Sequence, residues 1–175
     1  DSDLIFDPLT FTVASGDAEL RSSAAETLKP LGMIRDQMPK ANTILGVSNV
    51  SFGLKQSSRE ILNSVFLAEA VQNGLTCAIV NPARIIPMFS IPENEKKLAL
   101  DLIYNPRNDG SELAAYMQAF AGRNESLFKK DLSTLPPVER LAEKVIEGDA
   151  SSLEPLVDEL RQTMRPEQII NEILL

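Results

Sequence analysis

Short apolar runs alternate with longer amphipathic segments over the first 122 residues. The runs at 4–9, 43–47 and 76–80 are rich in aliphatic and β-branched residues, which predicts buried strands. Between and after them, apolar residues recur every three or four positions, which predicts helices over 17–38, 59–72, 92–104 and 111–121. Pro30 could divide the first of these helices in two. Strands that alternate with helices in this way predict a parallel α/β sheet.

The pattern changes after residue 122. Residues 123–136 are polar and mixed in character and end in proline, so we interpret them as a linker. Beyond the linker only helical periodicity is present, and we expect a cluster of antiparallel helices. Its expected apolar contacts are Leu141, Val145, Leu156, Leu160, Ile169 and Ile173. The chain opens directly on a strand and stops within a helix, so we expect it to be part of a longer polypeptide.

Polar residues occur where the predicted strands end. Asp7 ends the first strand, Ser48 and Asn49 follow the second, and Asn81 follows the third. In α/β folds the carboxyl edge of the sheet holds the ligand site, and Gly46 would let a ligand approach closely. A Ser/Asn turn without a ligand also explains the stretch around Asn49, and that stretch alone slightly favours the turn. The polar ends of the neighbouring strands shift the balance towards a shared site.

The acidic composition narrows the possible partners. The 175 residues carry a net charge of −8 and have a pI near 4.6. No basic cluster is longer than a pair of lysines, such as Lys129 and Lys130, which is too small for a nucleic-acid surface. No apolar run reaches the length of a membrane span, and the N-terminus lacks the pattern of a signal peptide. We therefore expect neither nucleic acid nor a membrane as a partner.

The histidine and cysteine content restricts the chemistry. The chain contains no histidine, which removes the commonest general base and the commonest metal ligand. Neither a histidine-activated nucleophile nor a zinc site is therefore expected within it. The single cysteine, Cys77, excludes an internal disulfide framework and suits the cytoplasm. Because Cys77 lies in a predicted strand, we expect it in the core.

Two groups of motifs carry a resemblance to a known family. The sequences Asp7-Pro8-Leu9 and Gly46-Val47-Ser48-Asn49-Val50-Ser51, with residues 59–81, resemble the second half of the pterin-binding barrel of methyltetrahydrofolate methyltransferases. Residues 145–149 and 166–171 resemble the start of the helical cap that precedes a cobalamin-binding domain. In this order, barrel, linker and cap are similar to the cobalamin-dependent methionine synthase family.

The resemblance implies a fold and a reaction. Residues 1–122 would be the C-terminal half of a (β/α)8 TIM barrel of the dihydropteroate synthase-like, pterin-binding kind. Residues 137–175 would begin the all-α cap of a cobalamin-binding module. The implied reaction moves the methyl group of 5-methyltetrahydrofolate to cob(I)alamin and then to homocysteine. Cobalamin would be bound mainly by a following domain, and zinc would belong to a homocysteine-binding domain; both domains lie outside this sequence.

The resemblance also implies roles for single residues. Asn49 would contact the pterin near N5 and would be the catalytic residue, because an amide can serve N5 both before and after protonation. Asp7 would accept hydrogen bonds from the pterin ring or from a bound water. The positions that would bind the substrate are Asp7, Gly46, Ser48, Asn49, Arg59 and Ile79.

Three other functions are compatible with parts of this pattern. A methyltetrahydrofolate:corrinoid protein methyltransferase would share the barrel and the methyl donor. A dihydropteroate synthase-like enzyme would share the pocket, but a basic Ser-Arg-Lys-like motif is expected where this chain has Ser48, Asn49 and Val50. A helical interaction module fused to a degenerate half barrel would not be an enzyme. An Asp-x-His-x-x-Gly motif beyond residue 175 would favour the methionine synthase interpretation.

Overall fold

The structure, a computed structural model, describes residues 2–15, 17–104, 109–123, 132–147 and 152–174. The chain divides into two compact units, Asp1–Lys129 and Lys130–Leu175. None of the described helices is both long enough and apolar enough to cross a membrane.

The first unit contains a parallel sheet, as the sequence predicted. Its strands are β1 (Ile5–Phe6), β2 (Asn42–Gly46) and β3 (Cys77–Ile79), in the spatial order β1-β2-β3. Phe6 lies beside Thr43, and Gly46 lies beside Ile79. The first strand is shorter than the predicted run at 4–9. Pro8 has no N–H to donate to a ladder, and the Asp7 carboxylate accepts from Leu9 N at 2.9 Å, so the chain turns there.

Helices follow each strand of the described sheet. They are α1 (Ser23–Gln37), α2 (Gln56–Gln72), α3 (Glu93–Tyr104) and α4 (Ser111–Ala119). Residues Ala18–Leu20 form a separate 3-10 turn, so the helix predicted from residue 17 begins later. Helix α1 continues through Pro30, because burial of Leu28 and Leu31 on either side offsets the backbone hydrogen bond that proline removes.

Helix α2 begins before the predicted start at Arg59. Its first residue is Gln56, and the Ser58 hydroxyl donates to the Lys55 carbonyl at 2.8 Å in the first turn. The polar run Gln56 to Ser58 carries no apolar periodicity, so the sequence pattern could not reveal this turn. Arg59 is therefore the fourth residue of α2 and not its first.

The core of the first unit lies on one face of the sheet. Right-handed crossovers place α1 and α2 on the same side of three sequentially ordered strands. Thr43 and Leu45 of β2 point to that side and are 1% and 0% exposed. On the opposite face Ile5 and Ile79 are 60% and 63% exposed. The prediction of buried strands is wrong for β1 and β3, because the described helices cover only one face of a sheet type that is normally covered on both.

Cys77 is exposed, so the prediction that it lies in the core is also wrong. It is the register partner of Ile44, and register partners in a parallel pair point to the same face of a sheet. Neither the type of residue nor the apolar run around it indicates which sheet face a helix will cover. Burial of this position therefore depends on what lies against the open face.

The second unit is helical, as expected. It contains α5 (Pro137–Glu147), α6 (Leu153–Arg161) and α7 (Pro166–Ile169), which continues as a π-helix over Ile170–Leu174. The apolar contacts form a small core of Leu141, Leu156, Leu160 and Ile169, with Ile173 partly buried against it. Val145 is 44% exposed, so its predicted place in this core is wrong. It lies one turn after Leu141, where the short helices α6 and α7 leave α5 partly uncovered.

Candidate functional site

A 3-10 turn at the carboxyl end of β2 carries the central candidate residues. The turn spans Val47–Ser51 and follows Gly46 directly. Val47 and Val50 are fully buried and anchor the turn in the core, whereas Ser48 and Asn49 are exposed. This alternation of apolar anchors and polar tips places the Asn49 side chain at the edge of the sheet where the sequence predicted a site.

The amide of Asn49 lies directly over Gly46. A Cβ atom built on Gly46 would lie 3.0 Å from Asn49 Nδ2 and 3.7 Å from Asn49 Cγ. Such a Cβ would point to the same sheet face as Ile79, because Gly46 and Ile79 are register partners. The structure thus brings three of the predicted residues together: a polar amide held above an open, apolar stretch of sheet.

The loop that follows β1 is attached to this turn. The Val13 backbone N–H donates to the Val50 carbonyl at 3.0 Å, and the Thr12 hydroxyl donates to the Phe52 carbonyl at 2.6 Å. The Thr12 hydroxyl also accepts from the Ala14 N–H at 3.1 Å, which fixes its rotamer. Sequence reasoning missed Thr12, because a single threonine in a polar loop gives no sign of a partner some forty residues away.

Arg59 approaches the turn from helix α2. Its Nε donates to the Ser51 hydroxyl at 3.1 Å, and its Nη2 donates to the Ser48 carbonyl at 3.3 Å. The Ser51 hydroxyl in turn donates to the same Ser48 carbonyl at 3.2 Å. The predicted site residues Ser48 and Arg59 are therefore joined, but through the backbone of Ser48 and not through its side chain.

The remaining predicted residues serve local turns. One oxygen of the Asp7 carboxylate is used by Leu9 N, and the side chain is exposed at the end of β1. Asn81 Oδ1 accepts from Ala83 N at 3.1 Å and begins the 3-10 turn Pro82–Arg84. The structure thus supports the interpretation of Asn81 as a turn residue, while Asp7 keeps an exposed carboxylate beside the neighbouring strand.

Helix α2 is held in place by α4 and the residues that follow it. The Tyr116 hydroxyl donates to the Ser58 carbonyl at 2.7 Å, and the Ser57 hydroxyl donates to the Arg123 carbonyl at 3.2 Å. Arg123 forms a two-pronged ion pair with Glu95, at 2.7 and 3.2 Å. Burial raises the pKa of Tyr116 above its ordinary value, so the hydroxyl stays a donor. These contacts fix the first turn of the helix that carries Arg59.

A buried ion pair connects α2 to the loop after β3. Arg84 Nη1 lies 3.0 Å from Glu60 Oε1, and the two side chains are 19% and 1% exposed. Gln56 Nε2 also donates to Glu60 Oε1, at 3.3 Å. Glu60 therefore compensates a charge from the loop after β3 and links that loop to α2.

The described residues contain no cluster of three or more histidine, cysteine, aspartate or glutamate side chains that could hold a metal ion. The whole sequence lacks histidine, so a histidine ligand to cobalt would have to come from another chain segment. The described part of the chain places an exposed amide beside an open, apolar sheet face.

Comparison with known proteins places two families on the chain. The pterin binding enzyme family matches residues 1–81, and the B12 binding domain family matches residues 137–175. The methionine synthase of Mycobacterium tuberculosis is 41% identical over 180 aligned positions, which cover 100% of this chain and 15% of that protein. The methionine synthase of Mycobacterium leprae is 39% identical over 179 positions, which cover 99% of this chain and 15% of that protein.

The chain therefore spans about 15% of the length of these relatives. It is homologous throughout to one segment of methionine synthases. This confirms the resemblance inferred from the sequence motifs.

Proposed function

We propose that this chain, homologous throughout to one segment of methionine synthases, carries part of the folate site of such an enzyme. The whole protein would transfer the methyl group of 5-methyltetrahydrofolate to cob(I)alamin and then to homocysteine, which yields methionine. The observation that carries the proposal is the Asn49 amide, held 3.0 Å from the Cβ position of Gly46 above the open sheet face that bears Ile79.

The proposed role of Asn49 follows from the leaving group. The methyl group departs from N5, a tertiary amine that leaves poorly unless it gains a proton or a strong hydrogen bond. The Asn49 amide can accept from a protonated N5 and can donate to an unprotonated one by turning about its side-chain bonds. Cob(I)alamin, carried by another part of the protein, supplies the nucleophile, and the residues of this chain supply position and polarity.

The other site residues would hold the pterin. The absence of a side chain at Gly46 lets the ring approach the strand end, and Ile79 gives it an apolar surface. The exposed Asp7 carboxylate would accept from the ring N–H groups, directly or through water. Ser48 would line the same pocket.

The proposed fold extends beyond the described sheet. We propose that the three parallel strands, with helices on one face, belong to the C-terminal half of a (β/α)8 barrel, which residues 1–122 supply. We propose residues 123–136 as a linker and 137–175 as the start of the helical cap. The division between compact units at Lys129 and Lys130 falls inside the proposed linker, which supports this assignment.

The proposed partners follow from the homology. The match of residues 137–175 to a B12 binding domain supports a cobalamin-binding domain as a neighbour. A homocysteine-binding domain with zinc is proposed from the sequence resemblance to the methionine synthase family alone. The cytoplasmic location inferred from the sequence stays a prediction.

Replacement of Asn49 tests the proposal. In the protein loaded with cob(I)alamin, Asn49→Ala should slow methyl transfer by about 10²-fold, because it removes a polar contact that strengthens in the transition state. Stopped-flow absorbance of cob(I)alamin measures the rate constant. Asn94→Ala, on the exposed first turn of α3, is the matched control and should leave the rate unchanged. A normal rate in Asn49→Ala would refute the role of this amide.

A further inference from the structure

Two side-chain hydrogen bonds from Arg59 end on the turn that carries Asn49. Its Nη2 donates to the Ser48 carbonyl at 3.3 Å, and its Nε donates to the Ser51 hydroxyl at 3.1 Å. We propose that Arg59 is a positioning residue, which sets the orientation of Asn49 from behind the turn and does not contact the pterin. This inference rests on the proposed function, because it concerns how the folate site is aligned.

The peptide group explains how Arg59 acts on Asn49. The Ser48 carbonyl and the Asn49 N–H belong to one planar peptide group. Hydrogen bonds from Arg59 and Ser51 to the Ser48 oxygen therefore fix the orientation of the peptide that precedes the Asn49 Cα. The next peptide is also held, because Phe52 N donates to the Asn49 carbonyl at 3.2 Å. With both peptides held, the side-chain torsions of Asn49 are the ones left to rotate. Rotation about them lets the amide accept from a protonated N5 or donate to an unprotonated one.

Ser51 transmits the effect within the turn. It is fully buried, accepts from Arg59 Nε and donates to the Ser48 carbonyl. Loss of Arg59 would leave the Ser51 hydroxyl with only one of its two partners, and buried polar groups that lose a partner are costly. The turn would keep its apolar anchors but lose the hydrogen bonds from Arg59, and the Ser48–Asn49 peptide would shift.

The chemistry of N5 also favours this position for the cation. Methyl transfer benefits from protonation of N5, and a positive charge in direct contact with N5 would oppose it. A guanidinium that is held by a carbonyl and a hydroxyl of the turn through two of its N–H groups would keep its charge away from the pterin ring. The same contact can still polarise the Ser48–Asn49 peptide without touching the substrate.

Single and double variants of the full protein test this assignment. Arg59→Ala should slow methyl transfer about tenfold or more, since small misplacements of a catalytic group lower rates steeply. Because the loss acts through Asn49, Arg59→Ala combined with Asn49→Ala should be no slower than Asn49→Ala alone. Ser51→Ala should show part of the same defect, and it serves if Arg59→Ala does not fold.

Arg59→Lys separates position from charge. A lysine keeps the charge but cannot reproduce the paired geometry, so the rate should stay well below that of the unchanged protein. Arg35→Ala is the matched control. Arg35 Nη1 also donates to a backbone carbonyl, that of Gln72, at 3.2 Å, but at the far end of α2 from Arg59. It should leave the methyl-transfer rate unchanged.

Binding measurements decide between the two roles of Arg59. The dissociation constant of 5-methyltetrahydrofolate in Arg59→Ala should change no more than in Asn49→Ala. A tenfold larger loss of affinity than in Asn49→Ala, a rate loss that multiplies with that of Asn49→Ala, or full rescue by lysine would overturn the positioning role. Failure of the unchanged, cob(I)alamin-loaded protein to transfer the methyl group would instead overturn the proposed function.

Discussion

Gly46→Ala tests the geometry of the Asn49 amide without altering the amide itself. Gly46 has φ −77° and ψ 83°, and a negative φ of this size is open to alanine, so backbone strain is not the cause of any defect. The added Cβ would lie 3.0 Å from Asn49 Nδ2, whereas ordinary contacts to such an atom begin at 3.4 Å. The amide must therefore move by about 0.4 Å, the difference between these two distances.

The expected loss follows from this displacement. A 1 Å misplacement can cost about 10²-fold in rate, so in proportion a shift of about 0.4 Å costs about 5- to 10-fold. The same ratio corresponds to about 1 kcal/mol of transition-state stabilisation. The free energy of unfolding should change little, because Asn49 is exposed and can yield towards solvent.

The assay is the single-turnover transfer of the methyl group to cob(I)alamin in the full protein. Gly32→Ala is the control, since its added Cβ would lie 3.9 Å from both Arg35 Nη2 and Asn73 O, which is ordinary van der Waals contact. In the Asn49→Ala background Gly46→Ala should cause a smaller fold loss, because the amide that it displaces is absent and only the approach of the ring to Gly46 is still hindered. An undiminished rate in Gly46→Ala, or the same fold loss with and without Asn49, would refute the reasoning.

Two further predictions concern stability and ionisation. Arg84→Ala should lower the free energy of unfolding by about 3 kcal/mol, because it takes a cation away from the buried Glu60 carboxylate. Lys29→Ala breaks an exposed ion pair and should cost less than about 0.5 kcal/mol. Similar losses for the two variants in urea titrations would contradict this. Burial and the Glu69 contact raise the pKa of Tyr104 to about 12, and burial raises the pKa of Tyr116. Absorbance at the phenolate band should therefore not rise at pH 10 in the folded chain; since the unfolded state loses these protons first, the stability they confer is complete below pH 10 and falls as the pH rises towards 12.

Local patterns in the sequence predicted the strands, their parallel arrangement and the place of Asn49. The change from strand to turn at Gly46 depends on neighbouring residues, so an apolar run followed by polar residues was enough to predict it. The helices of the second unit and most of their apolar contacts were predicted for the same reason.

Contacts between distant segments could not be predicted in this way. Thr12 bonds to Phe52, and Tyr116 bonds to Ser58, but neither pair has a local signature. The exposure of Cys77 depends on which sheet face the helices cover, and an apolar run does not contain that information. The proposed role of Arg59 depends on a hydrogen bond to the Ser48 backbone oxygen. Every residue has such an oxygen, so the residue types do not predict this contact.

The most direct test of the account is a structure of the full protein with 5-methyltetrahydrofolate bound. We predict the pterin ring against the sheet face that bears Ile79, with the Asn49 amide within hydrogen-bond distance of N5, about 3 Å. Arg59 should remain on the Ser48 carbonyl, as it is here. A pterin bound elsewhere, or one whose N5 points away from Asn49, would contradict the central claim.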